Sequence, residues 1–262
     1  MKGIFTTVLL ILSLAAGFSC KVTTEGKHEK PMWIYILAGQ SNMAGRGLIE
    51  AEDTVSHPGV LYLDSTNQWA LAREPLHYYE PARTGLDCGL SFAKEMLLLN
   101  QASIRIGLIP CAVGGSSAEH WLYDSLYRGV RLYTNFERKV DIAKKDGEIK
   151  GILWHQGESN ANAAALSSYS MILDSLFLKM RQTCGHADLP ILMGELARFL
   201  SWNQFHGFHI PVNELLLKKT RESPHLFLVS SEGLESKGDS IHFNSASLRE
   251  LGRRYARALM QQ

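Results

Sequence analysis

A serine, an aspartate and a histidine in this sequence have the types and the chain order that nucleophilic catalysis requires. Ser41 lies in the segment Gly-Gln-Ser-Asn at residues 39–42, and Asp239 lies three residues before His242 near the C-terminus. A serine hydroxyl becomes a nucleophile when a nearby base takes its proton. A carboxylate placed against the imidazole fixes the tautomer of that base and stabilises its protonated form. The three residues therefore predict acyl transfer from an ester to Ser41.

Each of these residues also has a structural interpretation. Ser41 stands where a strand would turn into a helix, so its side chain could be a helix N-cap. On the segment alone, this interpretation is favoured over a nucleophile. Asp239 could cap a turn, and His242 is one of ten histidines and could be a surface residue. The segment also differs from the nucleophile elbow of α/β-hydrolases, because position 43 is methionine where that motif has glycine.

Several residues could stabilise the negative oxygen that forms during ester cleavage. Gly114 and Gly115 carry no side chain, so a backbone N–H there can approach a ligand closely and share an oxyanion hole with the N–H of Ser41. Gln156 could add a side-chain amide to the same oxygen, and Gln40 is a further candidate for binding the substrate. The alternatives are a tight turn at the glycines and a glutamine that ties two loops together.

His155 and Glu158 also permit the interpretation of a metal site. Such a site would need about three protein ligands and an open position. Residues that could complete it are His120, Asp124 and His242. The spacings match none of the common metal-binding motifs, so we do not expect a metal centre. Glu158 is instead expected to orient Gln156 or neighbouring loop amides.

Five short apolar runs predict the strands that position these residues. The runs are residues 33–37, 104–109, 151–154, 191–194 and 226–229, and helical patterns lie between most of them. This alternation is typical of a three-layer α/β/α sandwich, here with a five-stranded parallel sheet of flavodoxin-like type. Polar segments follow the first three strands directly. Because parallel strands end at the same edge of a sheet, we expect these segments to converge.

Length and composition indicate one globular domain, which we place at residues 31–262. The chain has 262 residues, of which 45% are hydrophobic and 20% are charged. Its formal net charge of +1 and the absence of a run rich in lysine and arginine give no reason to expect a nucleic acid partner. The stretch between residues 40 and 90 is irregular, and long loops of this kind tend to be functional.

The N-terminal residues predict export from the cell. Residues 1–19 have a positive start and an apolar run that is too short to span a bilayer, as a signal peptide has. The cysteine that follows, Cys20, makes the pattern similar to a bacterial lipoprotein signal, with lipid attached to its thiol. An ordinary secretory signal is the alternative. Polar residues 20–30 would then be a tether, and any membrane attachment would be through the lipid at Cys20.

Four segments together resemble the sialate O-acetylesterase branch of the SGNH hydrolases, which includes carbohydrate esterase family 6. They are AGQSNMAG at residues 38–45, AVGGSS at 112–117, WHQGESN at 154–160 and DSIHFN at 239–244. They occur in the family's order, and GQSNMAG together with HQGES is a specific pair. With this resemblance, the interpretation of Ser41 as a nucleophile is favoured over its interpretation as a helix cap.

The resemblance implies roles for the candidate residues. Ser41 would be the nucleophile, His242 the general base and Asp239 its orienting partner. Gly114 would fill the role of the glycine in the second segment, and Gln156 stands where many SGNH enzymes use asparagine. The family removes acetyl groups from the hydroxyls of sialic acids or of acetylated xylan and related glycans, and no metal or organic cofactor is implied.

Three other functions remain open at this point. One is an acetylxylan esterase specifically. Another is a glycan-binding module that has lost turnover, in which Trp121, Trp202 and the pair Tyr78-Tyr79 could stack on sugars. The last is a lipase or thioesterase, which should prefer long acyl chains.

Overall fold

A seven-stranded sheet forms the centre of the protein in the computed structural model, which describes residues 30–200 and 205–261. The strands of this sheet are β1 (Met32–Gly39), β2 (Val60–Leu63), β3 (Trp69–Leu71), β4 (Arg105–Pro110), β7 (Glu148–His155), β8 (Ile191–Gly194) and β9 (Leu226–Val229). Two short strands, β5 (Leu126–Tyr127) and β6 (Val130–Arg131), form a separate hairpin. The spatial order in the large sheet is β3-β2-β4-β1-β7-β8-β9.

Helices cover both faces of the sheet. They are α1 (Ser41–Ala44), α2 (Gly89–Leu99), α3 (Ala118–Leu122), α4 (Leu132–Asp146), α5 (Ala163–Cys184), α6 (His209–Glu222) and α7 (Ser245–Met260). Helices α2 and α7 pack against each other on one side, whereas α3, α4 and α5 contact one another on the other side. The predicted α/β/α sandwich is confirmed.

The predicted number of strands is wrong, because β2 and β3 extend one edge of the sheet. Strand β2 pairs parallel with β4, and β3 pairs antiparallel with β2. Both strands are only three or four residues long and only partly buried. They also lie in the stretch that looks irregular in sequence, so no sustained apolar run reveals them. The five predicted strands all form, and two of them have the predicted bounds.

Strand β1 lies in the middle of the sheet and leads directly to the candidate nucleophile. It pairs parallel with β4 on one side and with β7 on the other. Ile34, Ile36 and Leu37 are completely buried, which explains why the strand is an uninterrupted apolar run rather than an alternating one. The helices that flank the sheet bury apolar side chains against it, including Leu173 of α5 and Leu251 of α7.

The predicted signal peptide, Cys20 and most of the predicted tether lie outside the described residues, as does Trp202. Within residues 30–200 and 205–261, no helix is long and apolar enough to cross a membrane.

Candidate active site

The three converging segments do meet at the carboxyl edge of the sheet. Strand β1 ends at Gly39, which lies opposite His155 at the end of β7. The φ of Gly39 is +131°, and a Cβ on this residue would lie 2.1 Å from the carbonyl oxygen of His155. Only glycine permits both this backbone angle and this close approach. Next to this contact, the N–H of Gln40 donates a hydrogen bond to the carbonyl oxygen of His155 at 2.9 Å.

Ser41, His242 and Asp239 form a continuous hydrogen-bonded chain. The Nε2 atom of His242 lies 2.9 Å from the Oγ of Ser41, and its Nδ1 atom lies 2.7 Å from Oδ2 of Asp239. A neutral imidazole with its proton on Nδ1 donates to the carboxylate and leaves Nε2 free to accept the serine proton. The structure thus brings together the three residues predicted from the sequence. Their catalytic role remains a prediction.

Backbone hydrogen bonds fix the loop that carries Asp239 and His242. The N–H groups of Ile241 and His242 donate to Oδ1 of Asp239 at 3.0 and 2.8 Å. Lys237 donates its N–H to the carbonyl of His242 at 2.9 Å. Phe243, which follows the histidine, is completely buried and anchors the end of the loop. These contacts therefore hold Asp239 and His242 in a fixed position relative to each other before any substrate binds.

The electrostatics of the pair suit a general base. Partial burial would raise the pKa of Asp239, but the hydrogen bonds from the backbone and side chain of His242 and from the backbone of Ile241 outweigh it and lower the pKa to about 2. Burial lowers the pKa of His242 below its usual value, although the contact with Asp239 opposes this effect. The carboxylate is thus charged and the imidazole neutral near pH 7.

Asn42 connects the nucleophile segment to two other segments, and nothing in the sequence singled it out. Its Oδ1 atom accepts a hydrogen bond from the N–H of Phe243 at 3.2 Å, and its Nδ2 atom donates to Oε1 of Glu158 at 2.8 Å. The side chain is completely buried. Asn42 therefore ties the loop of His242 to the start of α1.

Glu158 accepts a hydrogen bond from the side-chain amide of Asn42 in α1, and the expected contact with Gln156 does not form. Its Oε2 atom is buried and has no hydrogen-bond partner in the described part of the chain. Burial is the main cause that raises the pKa of Glu158 to about 7, although the bond from Asn42 lowers it somewhat. Glu158 is thus a buried carboxyl group that is easily protonated beside the nucleophile.

Gly114 lies at the expected place, but its N–H is not free for an oxyanion. It donates to Oε2 of Glu80 at 2.6 Å. The same carboxylate forms an ion pair with Arg46 at 2.7 Å and a second one with Arg128. A Cβ at position 114 would lie 2.0 Å from Nη2 of Arg46 and 2.5 Å from Oε2 of Glu80, so a larger residue would displace the ends of these two side chains. The predicted direct contact between the Gly114 N–H and the reacting oxygen is therefore not available in this arrangement.

Gln156 does not present a free donor to the site either. Its Nε2 atom donates to Oδ1 of Asn160 at 2.7 Å and lies 3.2 Å from Oε1 of Gln40. Its Oε1 atom accepts from the hydroxyl of Tyr169 at 3.1 Å. The side chain is completely buried. The alternative of a glutamine that ties two loops together describes this geometry better than a direct oxyanion donor.

The residues weighed for a metal site have other partners. The Nδ1 atom of His155 lies 3.2 Å from the hydroxyl of Tyr255, and burial lowers the pKa of this histidine to about 4. His120 takes part in the capping box of α3, and Asp124 accepts hydrogen bonds from Thr134. Among the described residues, no three histidine, cysteine or acidic side chains are arranged to hold a metal ion.

A cavity of about 290 Å³ opens at the hydroxyl of Ser41. Three arginines contribute to its wall, namely Arg46, Arg83 and Arg128. Phe205 and Ile241 supply apolar surface. Trp121, by contrast, is completely buried against Trp154 and cannot stack on a sugar as the sequence suggested. The cavity therefore combines cationic and amide groups with the apolar surface of Phe205 and Ile241.

The seven-stranded sheet with its flanking helices is a fold that this chain shares with solved structures of carbohydrate acetylesterases. Residues 31–261 match the family described as carbohydrate esterase, sialic acid-specific acetylesterase. The chain belongs to this family, and the resemblance inferred from its four segments is confirmed. It is accordingly an esterase of a carbohydrate esterase family.

Individual proteins agree with this assignment. The probable carbohydrate esterase At4g34215 of Arabidopsis thaliana is 31% identical over 251 residues, which cover 88% of this chain and 91% of the plant protein. The X-ray structure of the Arabidopsis thaliana protein AT4G34215 matches with a TM-score of 0.77 at 30% identity, over 88% of this chain and 99% of that one.

Two solved structures share the fold at lower identity. NanS matches with a TM-score of 0.71 at 16% identity, over 89% of this chain and 98% of that chain. XAC1771, a carbohydrate acetylesterase from Xanthomonas citri, matches with a TM-score of 0.62 at 20% identity, over 87% of this chain and 55% of that chain. At these identities the likeness concerns the fold alone.

Proposed function

We propose that this protein is a carbohydrate O-acetylesterase that works through an acetyl-enzyme on Ser41. The observation that supports the proposal most strongly is the hydrogen-bonded chain from Ser41 through His242 to Asp239, which opens into the cavity. Family membership supports ester hydrolysis on carbohydrates independently of this geometry.

The reaction proceeds in two balanced steps. His242 Nε2 takes the proton of Ser41 while Oγ forms a bond to the acetyl carbonyl carbon, and the carbonyl electron pair moves onto oxygen. This tetrahedral intermediate collapses, the bond to the sugar oxygen breaks, and His242 returns the proton to that oxygen. Water then attacks the acetyl-serine with the same base, which releases acetic acid and regenerates the hydroxyl. Asp239 keeps the proton of the imidazole on Nδ1 and stabilises its charged form throughout.

The size and the charge of the cavity favour a substrate with a short acyl group on a negatively charged sugar. Its volume of about 290 Å³ lies at the small end for ligand pockets, which argues against a long acyl chain. Glu80 neutralises part of the charge of Arg46 and Arg128, whereas the exposed Arg83 has no side-chain partner in the described part of the chain. A guanidinium recognises a carboxylate well, so the proposed substrate is an O-acetylated sialic acid or another acidic sugar.

The test of this function is acetate release by the wild type and by Ser41→Ala on three substrates. We expect the wild type to deacetylate O-acetylated sialic acid, acetylated xylan less well, and p-nitrophenyl acetate as an unspecific reporter. Ser41→Ala should lose all three activities with an unchanged circular dichroism spectrum. Retention of activity by this variant would refute the nucleophile, and a preference for xylan would refute the acidic substrate.

A second variant isolates the contribution of Arg83. Arg83→Gln should raise KM for acetylated sialic acid while leaving KM for p-nitrophenyl acetate unchanged. Arg73→Gln is the matched control, because Arg73 is also exposed but does not line the cavity. Equal effects of the two substitutions would show that only net charge matters.

We also propose, from residues 1–30 alone, that the protein is exported and anchored through a lipid on Cys20. Mass spectrometry of the mature N-terminus decides this. A diacylglyceryl group on Cys20 supports the anchor, and an unmodified N-terminus near this residue supports plain secretion.

A further inference from the structure

The side chain of Gln40 is held in one orientation by its neighbours. Its Oε1 atom accepts a hydrogen bond from the backbone N–H of Ser159 at 3.2 Å and lies 3.2 Å from Nε2 of Gln156. A backbone N–H can only donate, so the atom that faces Ser159 must be the amide oxygen. The NH₂ group of Gln40 therefore points the other way.

A chain of hydrogen bonds through Gln156, Asn160 and Glu119, which we call the relay, stabilises this orientation. Asn160 donates its Nδ2 to both carboxylate oxygens of Glu119, at 3.0 and 2.8 Å, and its Oδ1 accepts from the backbone N–H of Ala118 at 3.0 Å. Both ends of the Asn160 amide are thus assigned. Its Oδ1 atom then requires a donor from Gln156, whose NH₂ group must face Asn160 and Gln40. Each amide in the series fixes the next one.

The relay leaves one donor unused beside the nucleophile. Within residues 30–200 and 205–261, Nε2 of Gln40 forms no hydrogen bond, and it is not among the completely enclosed unpartnered atoms. Gln40 precedes Ser41 and lines the same cavity. Two of the other candidate donors are engaged, because Gly114 bonds to Glu80 and Gln156 bonds within the relay.

We infer that the side-chain amide of Gln40 donates to the oxyanion formed on the acetyl carbonyl, and that Gln156 and Asn160 are positioning residues that aim it. This inference rests on the proposed nucleophile Ser41 and deepens the proposed function. Because the Gln40 amide is aimed before the reaction begins, it stabilises the developing charge without reorganisation.

The experiment removes this donor in two different ways. Gln40→Met removes both polar atoms at similar length, whereas Gln40→Glu keeps an oxygen for the N–H of Ser159 and replaces the NH₂ donor with a carboxylate oxygen. Loss of one oxyanion donor typically reduces turnover by about 10²–10³. We expect both variants to show a kcat for p-nitrophenyl acetate lower by about this factor at pH 8, with little change in KM.

Gln182→Met is the matched control, because Gln182 lies on α5 and does not line the cavity. Thermal unfolding of each variant establishes that the fold is intact. A wild-type kcat in Gln40→Glu would overturn the inference. A rise in KM with unchanged kcat would also overturn it, because it would show ordinary substrate binding instead of stabilisation of the oxyanion.

The positioning role is tested by combining substitutions. Gln156→Met should reduce kcat in the wild type, yet it should add little when Gln40 is already methionine, since both changes remove the same donor. Additive losses would contradict the relay. The activity of the variants on p-nitrophenyl acetate distinguishes a failure of this inference from a failure of the proposed function. If Ser41→Ala keeps its activity, the proposed function fails, whereas if only the Gln40 variants keep theirs, the inference alone fails.

Discussion

Glu158 allows a quantitative test of the electrostatics around the site. Its carboxyl group is buried, one of its oxygens has no partner in the described chain, and its pKa is raised from 4.5 to about 7. A carboxyl group with a raised pKa in the folded state contributes stability that is complete below its unfolded pKa and is lost as the pH rises through the folded one. A tenfold change in an acid dissociation constant corresponds to about 1.4 kcal/mol, so ionising Glu158 in the folded protein costs about 3 kcal/mol by pH 8.

The substitution Glu158→Gln removes this titration while keeping a carbonyl oxygen for Asn42. The free energy of unfolding of the variant, relative to the wild type, should therefore increase by up to about 3 kcal/mol between about pH 4.5 and pH 8. Urea unfolding followed by tryptophan fluorescence at a series of pH values measures this difference. Because other groups titrate in both proteins, their contributions cancel.

The matched control is Glu137→Gln, which changes an exposed glutamate of α4. Its stability difference from the wild type should vary little with pH. A flat difference for Glu158→Gln as well would refute our description of Glu158 as a buried carboxyl group with a raised pKa.

Three further predictions concern catalysis and the ion cluster. His242 must be neutral to accept the serine proton, and its pKa is lowered from the usual 6.5. The value of kcat/KM for p-nitrophenyl acetate should therefore stay level near neutral pH and fall only in more acidic solution. A fall that begins above pH 7 would contradict this. Asp239→Asn should lower kcat by about 10⁴ with the fold intact, because the imidazole loses the partner that fixes its tautomer, and a loss of less than about tenfold would speak against this role. Gly114→Ala should lower the melting temperature and raise KM for acidic substrates, because the new methyl group displaces the Arg46–Glu80 pair; a wild-type melting temperature would show that the cluster adjusts without cost.

The sequence was most informative where a residue type is required by backbone geometry or by chain order. Five strands and the chain order of Ser41, Asp239 and His242 could be predicted, because buried parallel strands form continuous apolar runs and their ends share one edge. Strands β2 and β3 were missed, since short and half-exposed strands carry no sustained pattern.

The polar side chains around Ser41 were harder to assign from the sequence. Arg46, Glu80 and Arg128 lie far apart in the chain and in irregular segments, so no spacing indicates that they form a cluster. The direction of the Gln40 and Gln156 amides depends on Asn160 and its contacts, which only the three-dimensional arrangement determines. A sequence can name a glutamine near a site, but it does not tell which of its two ends faces the substrate.

The central claim, that Ser41 is the nucleophile, is tested most directly by trapping the enzyme with a fluorophosphonate ester and mapping the modified peptide. We predict one label per chain on Ser41, a parallel loss of acetate release, and no labelling of Ser41→Ala. Label on another residue, or full acetate release by a protein fully labelled at Ser41, would contradict it.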